Sequence, residues 1–207
     1  TLWWLYRDSL LPLETSFLGY SRSKVAIEDV IKKSQPYMKV SEDEHDTFST
    51  FCKKNVYVQG DYNKQEDFKT LNDEISKNEQ QSQAVRLFYL AIPASVVMDV
   101  TSNIKKFCMC QKGETRIIVE KPFGKDLASS EELSNHLSNH FDESQIYRID
   151  HYLGKEMVQN LMVLRFGNRI FTPSWNRENI SSVTISFKEP FGTEGRGGYF
   201  DQFGIIR

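Results

Sequence analysis

A chain of 207 residues, 39% hydrophobic and 26% charged, holds enough apolar material for one sizeable core and the beginning of a second, which sets aside a disordered tail. Its 26 basic and 28 acidic residues leave a net charge of −2, too balanced to attract nucleic acid or an anionic membrane from a distance, and neither is expected as a partner. No apolar run approaches the roughly 18 residues of a membrane span, so any anionic ligand must be gripped by a local cluster of Lys, Arg and His.

The chain opens in mid-pattern at Thr1-Leu2-Trp3-Trp4-Leu5 and stops inside an apolar segment at Phe203-Gly204-Ile205-Ile206-Arg207. Both ends are expected to be truncations of a longer protein. Trp3 and Trp4 read as core packing. Ser16 to Tyr20 reads as a short buried strand, and apolar residues at 25, 27, 30 and 31 predict a helix over Val25 to Lys33. Residues 41–80 are polar, with helical fragments and a strand or turn at Tyr57-Val58-Gln59-Gly60. Arg86 to Ile92 reads as a strand, Val96 to Phe107 as a helix, and Arg116 to Glu120 as a further strand. Ser129 and Glu132 fit a capping box ahead of Leu133, Leu137 and Phe141, an i, i+4, i+8 stripe that buries one helix face.

Strands alternating with helices of this length predict a parallel sheet of βαβ units, an α/β fold. Beyond residue 150 one helix is followed by Ile180, Val183, Ile185 and Phe187, read as a strand with one face buried. A boundary near Arg148 therefore divides a first domain, 1–148, from the start of a second, 149–207. Cys52, Cys108 and Cys110 are too few and odd in number for a disulfide framework and fit a reducing compartment, so a cytoplasmic location is expected. His136 and His140 sit four apart on a helix without a third ligand in view, and no metal site is expected.

Three segments carry chemistry. In Arg148-Ile149-Asp150-His151-Tyr152-Leu153-Gly154-Lys155-Glu156, a helix from about residue 151 would stack His151 and Lys155 on one face beside the Tyr152 phenol, a plausible grip for a phosphate dianion. A surface helix with an Asp cap and ordinary charges accounts for the same spacing. In Glu120-Lys121-Pro122-Phe123-Gly124, Lys121 follows the carboxyl end of a strand, where open α/β sheets bind ligands, although a strand-ending turn with a solvated Lys has the same pattern. Phe187 to Tyr199 packs four glycines into the seven positions 192–198, a loop needing unusual backbone angles or close approach to a ligand. No glycine-rich nucleotide loop occurs in the chain.

Taken together, in this order and spacing, these segments resemble the glucose-6-phosphate dehydrogenase family. Trp3 to Asp8, Gly19 to Ser23 and Leu87 to Pro93 agree with it as well, so the resemblance covers essentially the whole chain. It implies an incomplete Rossmann-type dinucleotide-binding domain, then the start of an α+β substrate domain. It also implies oxidation of glucose 6-phosphate at C1, with hydride transfer to NADP⁺ giving 6-phosphogluconolactone, by a parent that is a homodimer or homotetramer. Carried over by residue, His151, Tyr152 and Lys155 would hold the 6-phosphate, Lys121 would contact substrate and cofactor, and Glu189 would bind the sugar hydroxyls. Arg22 would pair with the 2′-phosphate of NADP, as an Arg in that place does in such folds. Asp150 would orient a general-base His that the family carries beyond the position of Arg207 and stabilise its cation, as a buried carboxylate does for a catalytic His. The 207-residue chain by itself is then expected to turn over nothing. Three rival readings are the glucose–fructose oxidoreductase group, which needs no phosphate grip, a non-catalytic binding protein, and a luminal, bifunctional relative.

Overall fold

The computed structural model describes residues 1–79, 84–186, 188 and 190–204. The chain forms two compact units, one made of Thr1–Phe88 with Ser95–Arg116 and the other of Tyr89–Ala94 with Ile117–Arg207.

In the first unit, helices α1 (Leu2–Arg7) and α3 (His45–Lys53) meet at a buried aromatic cluster of Trp3, Phe48 and Phe51. Trp3 meets both phenylalanines edge-on, with ring centroids 5.2 and 5.5 Å away, the geometry that aromatic quadrupoles favour. The two tryptophans part company: Trp3 is 1% exposed and Trp4 44%, its indole N–H donating to the Met38 carbonyl. Successive residues on one helical turn point about 100° apart, so only one of an adjacent pair can face the core.

Strands β1 (Phe17–Ser21) and β2 (Asn55–Gln59) pair in parallel, with Gly19 opposite Tyr57 and Ser21 opposite Gln59. Helices α2 (Ile27–Met38) and α3 supply the crossover that a parallel pair requires. The Tyr57–Gly60 segment is thus a strand ending at Gln59. Gly60 follows because the Tyr20 phenol lies against it: a Cβ there would fall 2.4 Å from Tyr20 Oη, which donates to the Asp61 carbonyl. Helices α4 (Gln65–Ser76) and α5 (Val97–Phe107) bury Phe68, Leu71, Val97, Val100 and Ile104.

Strands β3 (Ala84–Leu90), β4 (Gly113–Glu120) and β5 (Ile146–Ile149) form a three-stranded sheet in that order, with β4 and β5 parallel. On β4, Thr115, Ile117 and Val119 are buried while their neighbours are not, the period-two signature of a sheet with one covered face. The second unit's core gathers Leu90, Ile117, Val119, Ile146 and, from α6 (Leu127–His140) and its end, Leu133, Leu137 and Phe141. The α6 stripe is as expected, but the capping box is not Ser129 with Glu132. The helix starts earlier: Asp126 Oδ1 accepts the Ser129 N–H at 2.9 Å and Ser129 Oγ accepts the Asp126 N–H at 3.2 Å. A carboxylate is a stronger acceptor for a helix's first N–H groups than a hydroxyl, and it moves the cap three residues back.

The expected strand over 180–187 is absent among the described residues: 180–186 carry no ladder, and Val183 and Ile185 are 74% and 75% exposed. Phe187 lies outside the described residues. An alternating segment becomes a strand only where another strand accepts its N–H and C=O groups, and no described strand pairs with this one. After α7 (Glu156–Gly167), residues 169–179 form turns and bends, and α8 covers Gly197–Phe203.

One buried charge ties the first unit together. The Arg86 guanidinium is 5% exposed and donates to both carboxylate oxygens of Glu79 at 2.6 and 2.7 Å, to Asn72 Oδ1, to Ser76 Oγ and to the Cys108 carbonyl. The hydrogen bonds from Arg86 hold the Glu79 carboxyl below its ordinary value of 4.5, and Glu79 in turn holds the guanidinium in its charged form. Because the folded value is depressed, the pair's contribution is complete above the ordinary carboxylate range and is lost as pH falls through the folded value. Glu79→Gln should cost about 1–3 kcal/mol at neutral pH by urea unfolding of the full-length protein. The same substitution should flatten the acid limb of stability below about pH 4.5; an acid limb unchanged from wild type would show that other groups govern it.

Candidate active site

Parallel pairing of β4 and β5 in the register Ile117↔Ile146 and Glu120↔Ile149 brings their carboxyl ends level. Lys121 and Asp150 therefore leave the sheet from adjacent strands, about 4.8 Å apart at the backbone. This places the Lys121-Pro122-Phe123-Gly124 turn beside the Asp150-to-Lys155 segment, at the sheet edge where α/β folds bind ligands.

Each side is held by local chemistry. Glu120, the last residue of β4, accepts a 2.6 Å hydrogen bond from the Tyr89 phenol on β3, and this bond raises the phenol's pKa. Gly124 closes the turn at φ +108°, and a Cβ there would fall 2.6 Å from the Ser130 backbone nitrogen, so the turn abuts the first turn of α6. Asp150 Oδ1 accepts the Tyr152 N–H at 3.0 Å, and bonds from Leu153, Gly154 and Lys155 N–H to the carbonyls three residues back continue a series of turns.

These turns differ from the expected helix. α7 begins at Glu156, with Lys155 in extended conformation as its cap. An Asp side chain that takes the N–H two residues on stabilises a turn in competition with the helix, which is why residues 151–154 do not join α7. His151 and Lys155 consequently do not stack one helical turn apart. They converge on Tyr152 instead. The Lys155 ammonium lies 4.3 Å from the Tyr152 ring centroid, the Lys121 ammonium 4.6 Å from it, and the His151 ring 4.8 Å. Two cations on one ring are held by its quadrupole, each contact worth about 0.5–1 kcal/mol at an exposed site. Among the described residues neither ammonium has a carboxylate within 4 Å, so no ion pair there competes with the ring for them. Such a cluster suits a dianion with several acceptor oxygens.

The remaining candidates fall elsewhere. Asp150 is exposed, and its carboxylate accepts the Tyr152 N–H. Arg148, within the same signature, is spent on Glu143, pairing with both carboxylate oxygens and lowering the Glu143 pKa. Glu189 lies outside the described residues. In the glycine-rich stretch, Gly195 takes φ +82°, so its backbone demand is real, while Gly192, Gly195 and Gly198 have open space around them. Arg22 belongs to the first unit, immediately after the carboxyl end of β1, and its guanidinium lies 5.4 Å from the Tyr62 ring centroid. Tyr89 is the site neighbour that sequence reading missed: 31 positions separate it from Glu120, and only sheet order joins them.

The sequence model for the NAD binding domain of glucose-6-phosphate dehydrogenase matches residues 1–160, and the model for the C-terminal domain of the same enzyme matches residues 162–207. The chain belongs to the glucose-6-phosphate dehydrogenase family. It is 60% identical over 207 residues to a glucose-6-phosphate 1-dehydrogenase of Takifugu rubripes, covering 100% of this chain and 39% of that protein. It is 58% identical to glucose-6-phosphate 1-dehydrogenase 2 of Mus musculus, covering 100% and 40%. Among solved structures, a glucose-6-phosphate dehydrogenase in complex with its substrate glucose-6-phosphate aligns at TM-score 0.86 and 45% identity, covering 100% of this chain and 44% of that one. The chain spans about two fifths of the length of the curated glucose-6-phosphate dehydrogenases it matches.

Gly124 is the part of this edge most sensitive to a small change. Gly124→Ala should destabilise the full-length protein by about 1–3 kcal/mol, combining a positive-φ penalty with the clash at Ser130. Thermal unfolding measures it, and a melting temperature equal to wild type would show that the turn relaxes freely.

Proposed function

We propose that the protein containing this chain oxidises glucose 6-phosphate at C1, with the hydride passing to NADP⁺ and 6-phosphogluconolactone as product. The observation that carries this reading is the convergence of Lys121, Lys155 and His151 on Tyr152, beside the carboxyl ends of β4 and β5. His151, Tyr152 and Lys155 are proposed to take the 6-phosphate, with the ammonium groups leaving the ring face for the stronger pull of a dianion. Lys121, on the turn after β4, reaches both the sugar and the cofactor. Glu189 is proposed to accept from the sugar hydroxyls.

The nicotinamide accepts the hydride when bound; the chain's own task is to fix the sugar and manage the proton leaving the C1 hydroxyl. Asp150 is proposed to orient the histidine that takes that proton. Tyr152 N–H engages one of its oxygens, and among the described residues the other makes no hydrogen bond. A carboxylate placed so holds an imidazole in one tautomer and stabilises its cation. Arg22, in the other unit, fits the 2′-phosphate that distinguishes NADP from NAD: it follows the carboxyl end of a parallel strand and has no carboxylate within 4 Å among the described residues.

The phosphate assignment is tested by Lys155→Gln in the full-length enzyme. Loss of a charge-assisted hydrogen bond should raise KM for glucose 6-phosphate roughly tenfold or more and reduce the preference for glucose 6-phosphate over free glucose. If the variant keeps the wild-type preference for the phosphorylated sugar, Lys155 does not hold the phosphate.

A further inference from the structure

The three residues Ser21, Arg22 and Ser23 are held from β2 by a set of bonds that no general requirement of the fold explains. The Tyr57 ring lies over Gly19, its partner in register, where a Cβ would come within 3.2 Å of the ring. Only glycine lets the ring lie so low, and the phenol consequently reaches along the strand to the loop beyond it.

There Tyr57 Oη sits 2.7 Å from Ser21 Oγ and 2.5 Å from the Ser23 carbonyl oxygen, and the Ser23 N–H lies 3.3 Å from Ser21 Oγ. A phenol has one proton to give, and a carbonyl can only accept. The phenol's other carbonyl contact, Ser21 O, is longer at 3.4 Å, so the directions follow: the phenol donates to Ser23 O, the Ser21 hydroxyl donates to the phenol oxygen, and the Ser23 N–H donates to Ser21 Oγ. The bonds close a ring whose two anchors flank Arg22. The residue between them is pinned as well, its carbonyl accepting the Gln59 side-chain N–H at 3.1 Å, while its guanidinium lies over Tyr62.

We infer that Tyr57 is a positioning residue for recognition of the cofactor's 2′-phosphate, setting the backbone from which Arg22 reaches it. This rests on the proposed role of Arg22. A loop free to move would give up part of the Arg22–phosphate energy to ordering; closing it in advance avoids that cost. Tyr57 touches neither cofactor nor substrate on this account and acts through Arg22 alone.

The test measures binding of adenosine 2′,5′-bisphosphate, by calorimetry, to the full-length protein as wild type, Tyr57→Phe, Arg22→Gln and the double variant. Tyr57→Phe removes one oxygen and keeps the ring over Gly19; it should weaken binding by about three- to tenfold, the worth of one or two modest hydrogen bonds. In the Arg22→Gln background the same change should add little, because the group it positions is gone. Two results overturn the inference while leaving Arg22 in its role: Tyr57→Phe binding as tightly as wild type although Arg22→Gln binds weakly, or Tyr57→Phe costing as much without Arg22 as with it. Arg22→Gln binding as tightly as wild type would instead remove the reading of Arg22 on which the inference stands.

Discussion

The register of one parallel strand pair governs the candidate active site. With Glu120 opposite Ile149, β4 and β5 end together, and the residues that follow, Lys121 on one strand and Asp150 to Lys155 on the other, emerge side by side. Side chains alternate along a strand, so a slip of one residue would turn Ile117, Val119 and Ile146 out of the core. Their burial therefore fixes the register, and the register fixes which polar groups meet at the edge. The chemistry at the end of the sheet is held by the hydrophobic pattern in its middle.

At that edge, Lys121 and Lys155 have no carboxylate within 4 Å among the described residues. An ion pair to a carboxylate would hold Lys121 and Lys155 firmly but would have to be broken to admit an anion. The Tyr152 ring holds both by a weaker attraction, one that the proposed phosphate would outcompete. The contrast with Arg86 is instructive. Its guanidinium is saturated by Glu79, Asn72, Ser76 and Cys108, is buried, and has no donor left for a ligand. Arg148 likewise is satisfied by Glu143. What separates Lys121 and Lys155 from Arg86 and Arg148, among the described residues, is that no carboxylate lies within 4 Å of them.

Glycine plays two distinct parts in this arrangement. Gly124 is required by backbone angle and by its closeness to α6, while at Gly19 a Cβ would crowd the ring that lies across it. Only the first follows from a local pattern, a turn after a strand. The second depends on the residue that β2 happens to place opposite.

By itself, the sequence determined the family and the α/β class, and it located several of the elements. Apolar spacing located β1, β3, β4, α5 and the buried stripe Leu133, Leu137, Phe141, and the segments around Lys121 and His151 carried the family resemblance, because each of these is a local pattern readable over a few residues. Several matters were decided only by the tertiary structure. The capping box moved to Asp126, the helix start moved from residue 151 to Glu156, and Trp4 turned outward, each because a backbone group or a core position can serve only one of two competing neighbours. The stretch 180–186 forms no strand, since pairing needs a partner that no local pattern supplies. The contacts of Tyr89 with Glu120, of Lys121 with Tyr152, and of Tyr57 with the loop around Arg22 join residues some thirty positions apart. Strand order and register bring them together, and these are set by burial summed over the whole sheet rather than by any segment alone.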